Sequence, residues 1–405
     1  MRALTCIGVL TILFISTTVS YAQTASTTDP LESMPIRFGP IGLSPTLAIT
    51  NLGIDDNIFN EANDPKSDFT MTITPRLQAR LRSRKVLLSG ALATGLVYYN
   101  KYDDERTVDW AADGRVDVDL GWFQPYALAA LLDTRDRLNA ELDVRAPRTQ
   151  TTLAVGTRAI FSPKVGAVFD FRNANLDFAE GTSFEGVLLS QQLNSTTKTI
   201  ESGLELYLTP LTTVGVTASW QTDRFDDSPE RDADTFRLLP SIRMEAPAIV
   251  QGSLAIGYRS FSAIDPETPD FSGVVVQGSL AHTFGERTKV ELALSRDVQY
   301  SFEETEPYYL TTGLRVVVTQ QLGESFDVRA IVGRDRLDYR EETSSGASDG
   351  ASRIDRASVL GAGLGYRFQA NVRTGLDVEF ARRTSDRPDR EYDRTRVFAS
   401  LTYGF

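Results

Sequence analysis

The chain has one histidine, His282, and one cysteine, Cys6, in 405 residues, and these counts remove most nucleophilic and soft-metal chemistry. A Ser-His or Asp-His hydrolytic site needs an imidazole beside its nucleophile or water. His282 instead falls in the alternating run Gly278, Leu280, His282, Phe284, on its apolar side and near a turn, which assigns it to a membrane interface rather than to catalysis. No His/Cys cluster has zinc spacing, and no glycine-rich loop opens a helix to cradle phosphate. Carboxylates remain. Asp117 and Asp119 have the residue type a glycosidase uses. Two acidic stretches, Asp55, Asp56, Asn57, Glu61 and Asp64, and Asp223, Asp226, Asp227, Asp232 and Asp234, hold oxygen ligands of the kind Ca²⁺ takes. Neither has EF-hand spacing, and solvated surface loops are the plainer reading. The sequence thus assigns no catalytic residue, cofactor or metal.

The elements carrying these carboxylates explain them better than catalysis does. In 108–122, Val108, Trp110, Ala112, Val116, Val118, Leu120 and Trp122 share one face, and Asp109, Asp113, Arg115, Asp117 and Asp119 share the other. A strand face with four carboxylates must line water, so its apolar face meets a core or lipid. The split recurs elsewhere. Met71, Ile73, Leu77, Ala79 and Leu81 oppose Arg76, Gln78, Arg80 and Arg82; Phe326, Val328, Ala330 and Val332 oppose Asp327, Arg329 and Asp335; and in 372–380 the apolar set opposes Arg373, Asp377 and Glu379. Arg394 and Arg396 continue the ionic set. Together these charges form a lumenal ladder of both signs, in which opposite charges on neighbouring strands attract and narrow the passage.

Tight-turn signals recur at 83–85, 122–124, 162–163, 209–211, 247–249, 285–287, 323–325 and 370–372, with longer acidic connections such as 55–66, 226–232, 263–270, 341–353 and 384–391 between them. Alternating short and long loops are the habit of membrane barrels. The count predicts an all-β fold: a transmembrane, antiparallel, up-and-down β-barrel of about 18 strands, with 16 as the alternative and both termini at the periplasmic rim. Its least regular members are 125–138, where Leu128, Leu131, Leu132 and Leu138 also fit a helical stripe, and 184–193. Aromatics cluster at the segment ends. Trp122, Phe161, Phe284, Phe368 and Phe405 lie towards the short turns, and Tyr98, Tyr99, Trp110, Trp220, Phe261, Tyr300, Tyr308 and Tyr309 towards the long loops, as two interfacial girdles would. Glycines such as Gly361, Gly363 and Gly365 suit close contacts or a thinned wall. No long inward loop is evident, so constriction is expected from lumenal side chains or from residues 23–36.

The ends fit export. Met1-Arg2, the apolar run Ala3–Val19 and Ser20-Tyr21-Ala22 read as a signal peptide over 1–22, with Cys6 inside it, so the mature chain keeps no thiol. Residues 23–40 read as a flexible periplasmic lead-in and 41–405 as the barrel. The last strand places Val397, Ala399, Leu401, Tyr403 and Phe405 on one face. Its Tyr403-x-Phe405 ending resembles the C-terminal signature that the outer-membrane barrel assembly machinery reads. A net charge of −12 disfavours nucleic acid.

One stretch resembles a known family. Residues 37–47, then Asp55, Asp56, Asn57 and Phe59, then Ser67, Asp68 and Phe69, then 74–77, are similar to the opening of the putative β-barrel porin 2 family, with Ile54 and Ile58 where that family has Tyr and Val. The resemblance implies a bacterial outer-membrane barrel surrounded by outer-membrane lipid, often associated with exopolysaccharide or capsule export, with polysaccharide and export-complex proteins as partners. The reading is a porin-like channel for polar solutes, not an enzyme. Its rivals are a closed structural barrel anchoring a secretion complex, and an outer-membrane glycan hydrolase.

Overall fold

The computed structural model describes residue 31 and residues 34–246, 248–341 and 353–404. The signal peptide expected over 1–22, the first part of the lead-in and Phe405 lie outside the described residues.

The strands, in chain order, are β1 (Ile36–Phe38), β2 (Ile41–Asp55), β3 (Asp68–Ser83), β4 (Val86–Tyr99), β5 (Thr107–Val118), β6 (Phe123–Thr134), β7 (Arg148–Ser162) and β8 (Val165–Phe178). Then come the two-residue strands β9 (Ser183–Phe184) and β10 (Val187–Leu188), the single-turn α1 (Leu189–Leu193), β11 (Ser195–Thr209), β12 (Thr212–Phe225), β13 (Ala233–Met244) and β14 (Val250–Ala263). The series ends with β15 (Phe271–Phe284), β16 (Thr288–Tyr300), β17 (Tyr308–Leu322), β18 (Phe326–Arg340), β19 (Ile354–Gln369), β20 (Val372–Thr384) and β21 (Tyr392–Gly404). β2–β8 and β11–β21 pair antiparallel, each with its neighbour, and β21 returns to β2 to close an 18-strand barrel. Closure leaves no free sheet edge, which a membrane-spanning sheet requires.

Two-residue periodicity turns this molecule inside out relative to a water-soluble domain. Leu153, Leu204, Val332, Leu360 and Leu376 are each more than half exposed on the outer wall, whereas Arg259, Asp355 and Arg383 are at most 2% exposed. Apolar residues outside and ions inside is the signature of a lipid-facing barrel with a polar bore. The short connections fall where turn residues permit them; at 285–287, Gly285 and Glu286 both take positive φ, 53° and 62°, which lets the chain reverse at once.

Several boundaries differ from the sequence reading. β5 ends at Val118, so Asp119 belongs to the turn 119–122, where its Oδ1 accepts the Gly121 N–H at 2.8 Å; the turn expected at 122–124 therefore comes earlier. Residues 184–193 supply no stave: they form the β9–β10 ribbon and α1 above the rim. β6 is a strand as expected but stops at Thr134, leaving Leu138 in a loop. The described end of the lead-in forms a short strand. β1 doubles back on β2, pairing Arg37 with Gly42, and Leu31 and Met34 are buried. A Cβ on Gly42, which faces the bore, would stand 2.7 Å from Met34 Cγ, so this segment tucks inside the short-turn mouth.

Candidate channel and its mouth

The inward faces of the staves supply the candidate lining. Arg76, Arg80 and Arg82 point inward from β3, and Asp109, Asp113, Arg115 and Asp117 from β5, opposite the exposed Leu77 and Trp110 faces. Asp327 and Arg329 on β18, Arg373, Asp377 and Glu379 on β20, and Arg394 and Arg396 on β21 do the same. Opposite charges meet along and across the strands. Arg115 and Asp117 lie 2.8 Å apart, Arg396 reaches Glu379 at 2.6 Å, and Arg373 spans β19 to reach Asp327 at 2.5 Å. That last reach depends on glycine, because a Cβ on Gly365 would stand 2.2 Å from Arg373 Nη2 and one on Gly363 2.0 Å from Asp377 Oδ1. Asp109 accepts from Thr134 Oγ1 and from the Arg135 N–H, so it ties the top of β5 to β6.

Other ionic groups of the bore were not singled out by the sequence. Glu205 is shared by Arg158 at 3.1 Å and Arg243 at 3.0 Å, and Asp297 by Arg259 at 2.6 Å and Arg237 at 3.3 Å. Their signal was the same alternation, present but less dense. Asp117 is engaged by Arg115 and Asp119 sits in the rim turn, so the two do not face one another across a cleft as glycosidase carboxylates do.

The acidic stretches are solvated in part: Asp56, Glu61, Asp64, Asp226 and Asp227 are exposed, while other members turn inward. Asp55, Asn57 and Asp223 are at most 4% exposed. Arg394 binds Asp55, Asp56 Oδ1 accepts the Thr395 N–H, and Asn57 Nδ2 donates to the carbonyls of Glu61 and Asp393. Asp68 accepts the N–H groups of Lys101 and Tyr102, and Phe59 stacks edge-on against Tyr102 at 5.1 Å. The 55–69 motif is thereby a seam, fastening the first stave to the last and to the next loop. In the second stretch Asp223 accepts from Thr197 and Tyr300, while Arg224 takes Asp232 and Asp234. Among the described residues no three His, Cys, Asp or Glu side chains gather as metal ligands would. His282 lies on the outer wall near a short turn, its Nδ1 2.5 Å from the Ile249 carbonyl and its ring edge-on to Phe284.

The long-loop mouth overturns the expectation that no long loop turns inward. Residues 135–147, between β6 and β7, fold across the bore to the almost diametrically opposite wall. Arg137 donates to the Ile58 carbonyl at 2.6 Å, Arg383 on β20 donates to the carbonyls of Ala140 and Glu141, and Ser301 Oγ, between β16 and β17, donates to Glu141 Oε1 at 2.6 Å. Arg390, beyond β20, binds Glu185 at 2.7 Å beside β9, on the far side again. Arg231 reaches Gln192 at 2.9 Å and the Glu303 carbonyl at 2.6 Å. Beneath these polar struts lies a dry cluster of Leu142, Ala146, Phe178, Leu189, Leu193 and Phe302. The aromatic residues expected as one outer girdle divide here: Trp110 and Trp220 face outward, but Tyr99, Phe261, Tyr308 and Tyr309 are buried under the loops. Apolar Leu138, Leu142 and Val144 inside a polar connection were the available signal. Their partners, some 240 residues away in sequence, were not.

Glu141 is 1% exposed and, among the described residues, no cation forms an ion pair with its carboxylate; burial pushes it up to about 7, against the pull of the Ser301 hydrogen bond and of Arg390, Arg383 and Arg353. Glu306 is also raised, chiefly by burial, whereas hydrogen bonds and nearby carboxylates hold Arg353 above its ordinary value despite burial.

A closed barrel, a bore lined by both signs of charge and a loop-filled mouth define an outer-membrane protein of the porin type. The chain belongs to the family described as "Putative beta-barrel porin 2", whose model matches residues 29–405. No curated protein matches it. Among solved structures it is similar to Pseudomonas aeruginosa OccK2 (OpdF) in complex with glucuronate, at 10% identity and a TM-score of 0.49, covering 90% of this chain and 98% of that one. It is also similar to Acinetobacter baumannii OccAB3, at 9% identity and a TM-score of 0.46, covering 90% and 99%.

Proposed function

We propose that this barrel is a mouth-gated passage for small polar, hydroxyl-rich solutes, with the long-loop rim facing outward and the bore serving glycan traffic of the kind that accompanies exopolysaccharide export. The observation that carries this reading is the 135–147 loop, held across the bore by Arg137, Arg383 and Ser301 above a wall of paired charges. Paired Arg and Asp side chains offer donors and acceptors without a strong net field, which suits neutral sugars. Passage is passive. A solute entering from the short-turn side exchanges its water for lumenal hydrogen bonds, and the loop sets its size limit. An extended polymer requires the loop to leave the mouth, whereas a mono- or disaccharide requires only loosening.

The same loop supports a second reading, a barrel closed to solutes that anchors a secretion complex. Planar-bilayer recording separates the two. The channel reading expects small wild-type steps that grow several-fold in Arg383→Gln/Arg390→Gln, which releases the loop from β20 and its neighbour. No steps in either protein, with both folded by gel shift, would leave only the anchor.

A further inference from the structure

The outer wall carries arginines where a lipid-facing surface has least use for them. Arg296 on β16, Arg334 and Arg336 on β18, Arg356 on β19 and Arg382 on β20 follow directly on the outward apolar runs ending at Leu294, Val332, Leu360 and Phe380, on the long-loop side of each. Arg336 and Arg356 are direct cross-strand partners. Like charges so placed repel, and an anion between them relieves the repulsion. Asp338 stands 3.6 Å from Arg336, and Arg382 meets Asp393 at 3.5 Å with both side chains more than half exposed. Arg334 and Arg356 have no hydrogen-bond or ion-pair partner among the described residues.

Elsewhere on this rim the outward positions are different. Asp133 on β6, Asp177 on β8 and Asp234 on β13 share the outward face of their neighbours, and Arg224 on β12 is neutralised by Asp234. Five outward arginines gather on the arc β16–β20, two of them with a carboxylate beside them, whereas the outward Lys198 of β11 has no cation directly opposite it on either paired strand. Beside that arc a groove of about 470 Å³ runs down the wall, with Arg334, Ser358, Arg382 and the carboxylate of Asp393 at its top and Val332, Leu360 and Phe380 below. A polar head, made cationic overall by Arg336 and Arg356 beside the groove, stands above an apolar trough continuous with the membrane-facing band, an arrangement that suits one amphiphile lying upright.

We propose that this arc binds the phosphate headgroup of an acylated, phosphate-bearing lipid of the outer leaflet, Arg336 and Arg356 clasping the phosphate while an acyl chain lies over Leu360 and Phe380. Guanidinium forks match phosphate oxygens bidentately, and cations at a lipid surface strengthen attachment additively. The assignment rests on the long-loop rim facing outward. It does not depend on whether the bore conducts.

The test is native mass spectrometry on the full barrel in neutral detergent, titrated with bisphosphorylated lipid A, with the same lipid dephosphorylated, and with inorganic phosphate. Wild-type protein and Lys198→Gln, on another arc, are expected to retain the bisphosphorylated lipid about tenfold more tightly than Arg356→Gln/Arg382→Gln or than the dephosphorylated lipid is retained. Each variant must first show the heat-dependent gel shift of a folded barrel, and the single Arg356→Gln serves should the double variant misfold. Equal retention across the variants, or equal retention of the two lipids, overturns the proposal. Displacement of the lipid by equimolar inorganic phosphate overturns the lipid as its source.

Discussion

The Nε of Arg394 donates to both carboxylate oxygens of Asp55, at 2.8 and 3.0 Å, and so pins the last stave to the first, 339 residues away in sequence. Asp55 is 4% exposed, so the pair is desolvated as well as bidentate. Removing one partner strands the other charge, whereas removing both does not. Arg394→Leu alone is expected to cost ~3–5 kcal/mol in urea unfolding from lipid vesicles. Asp55→Leu/Arg394→Leu should cost less than the sum of the single changes. Strict additivity would show that the seam does not depend on this pair.

Closure at the same seam needs a bulge. Asn51 takes a φ of 53°, the pairing of β2 with both neighbours shifts there, and a Cβ on Gly53 would stand 2.0 Å from the Val397 carbonyl oxygen. Gly53→Val is therefore expected to block assembly of a heat-modifiable barrel. Gly39→Ala, at a positive-φ turn with open space around it, should still assemble, at a cost of ~1–2 kcal/mol from the left-handed backbone alone.

The wall was legible in the sequence because its information is local. Each stave states its own inside and outside: Leu77 between Arg76 and Gln78, or Val328 between Asp327 and Arg329, fixes a face without reference to any other strand. The short turns announce themselves through Gly285 or Gly323 for the same reason. The mouth was not legible, because Leu142 becomes buried only when Phe302 arrives from the opposite side, and Arg383 binds the 135–147 loop only after the ring has closed. The partners of Asp55 and Asn57 were hidden for a related reason. In one dimension they resemble a cation loop, and in three dimensions Arg394 already occupies the place of a cation.

Glu205, 4% exposed between Arg158 and Arg243, sets the sign of the field at its level of the bore. Glu205→Gln leaves two guanidinium groups facing one amide. The reversal potential across a salt gradient should then move towards anion preference, while Glu180→Gln, on an exposed loop, should leave it unchanged.

Leu142 is fully buried in the mouth cluster, which is built mainly from the loops and α1 and meets the wall only at the rim ends of β8 and β16, through Leu176, Phe178 and Tyr300. Leu142→Ala removes apolar contact from the gate and leaves the strand pairing of the wall intact, so it should weaken loop closure by ~2–5 kcal/mol while urea unfolding of the barrel stays at its wild-type midpoint. Faster tryptic cleavage at Arg137 and Arg145, with an unchanged gel shift, is the expected pair of readings. A lowered barrel midpoint instead would mean that the loops and the wall unfold as one unit.

The gate also carries a titrating group. Glu141 has its carboxyl raised to about 7 by burial, from an ordinary 4.5, in the company of Ser301, Arg353, Arg383, Arg390, Tyr309 and Tyr339, with Glu306 raised nearby. Because the closed mouth holds its proton more tightly than the released loop does, closure is strongest below pH 4.5 and is lost progressively as pH rises through about 7. The span corresponds to on the order of 3 kcal/mol at most, enough to move a closed gate into measurable opening. Open probability in planar bilayers should climb between pH 5 and 8. In Glu141→Gln, which stays neutral, opening should remain low and flat across that range. An identical rise in both proteins would assign the titration to Glu306 or to the bore instead.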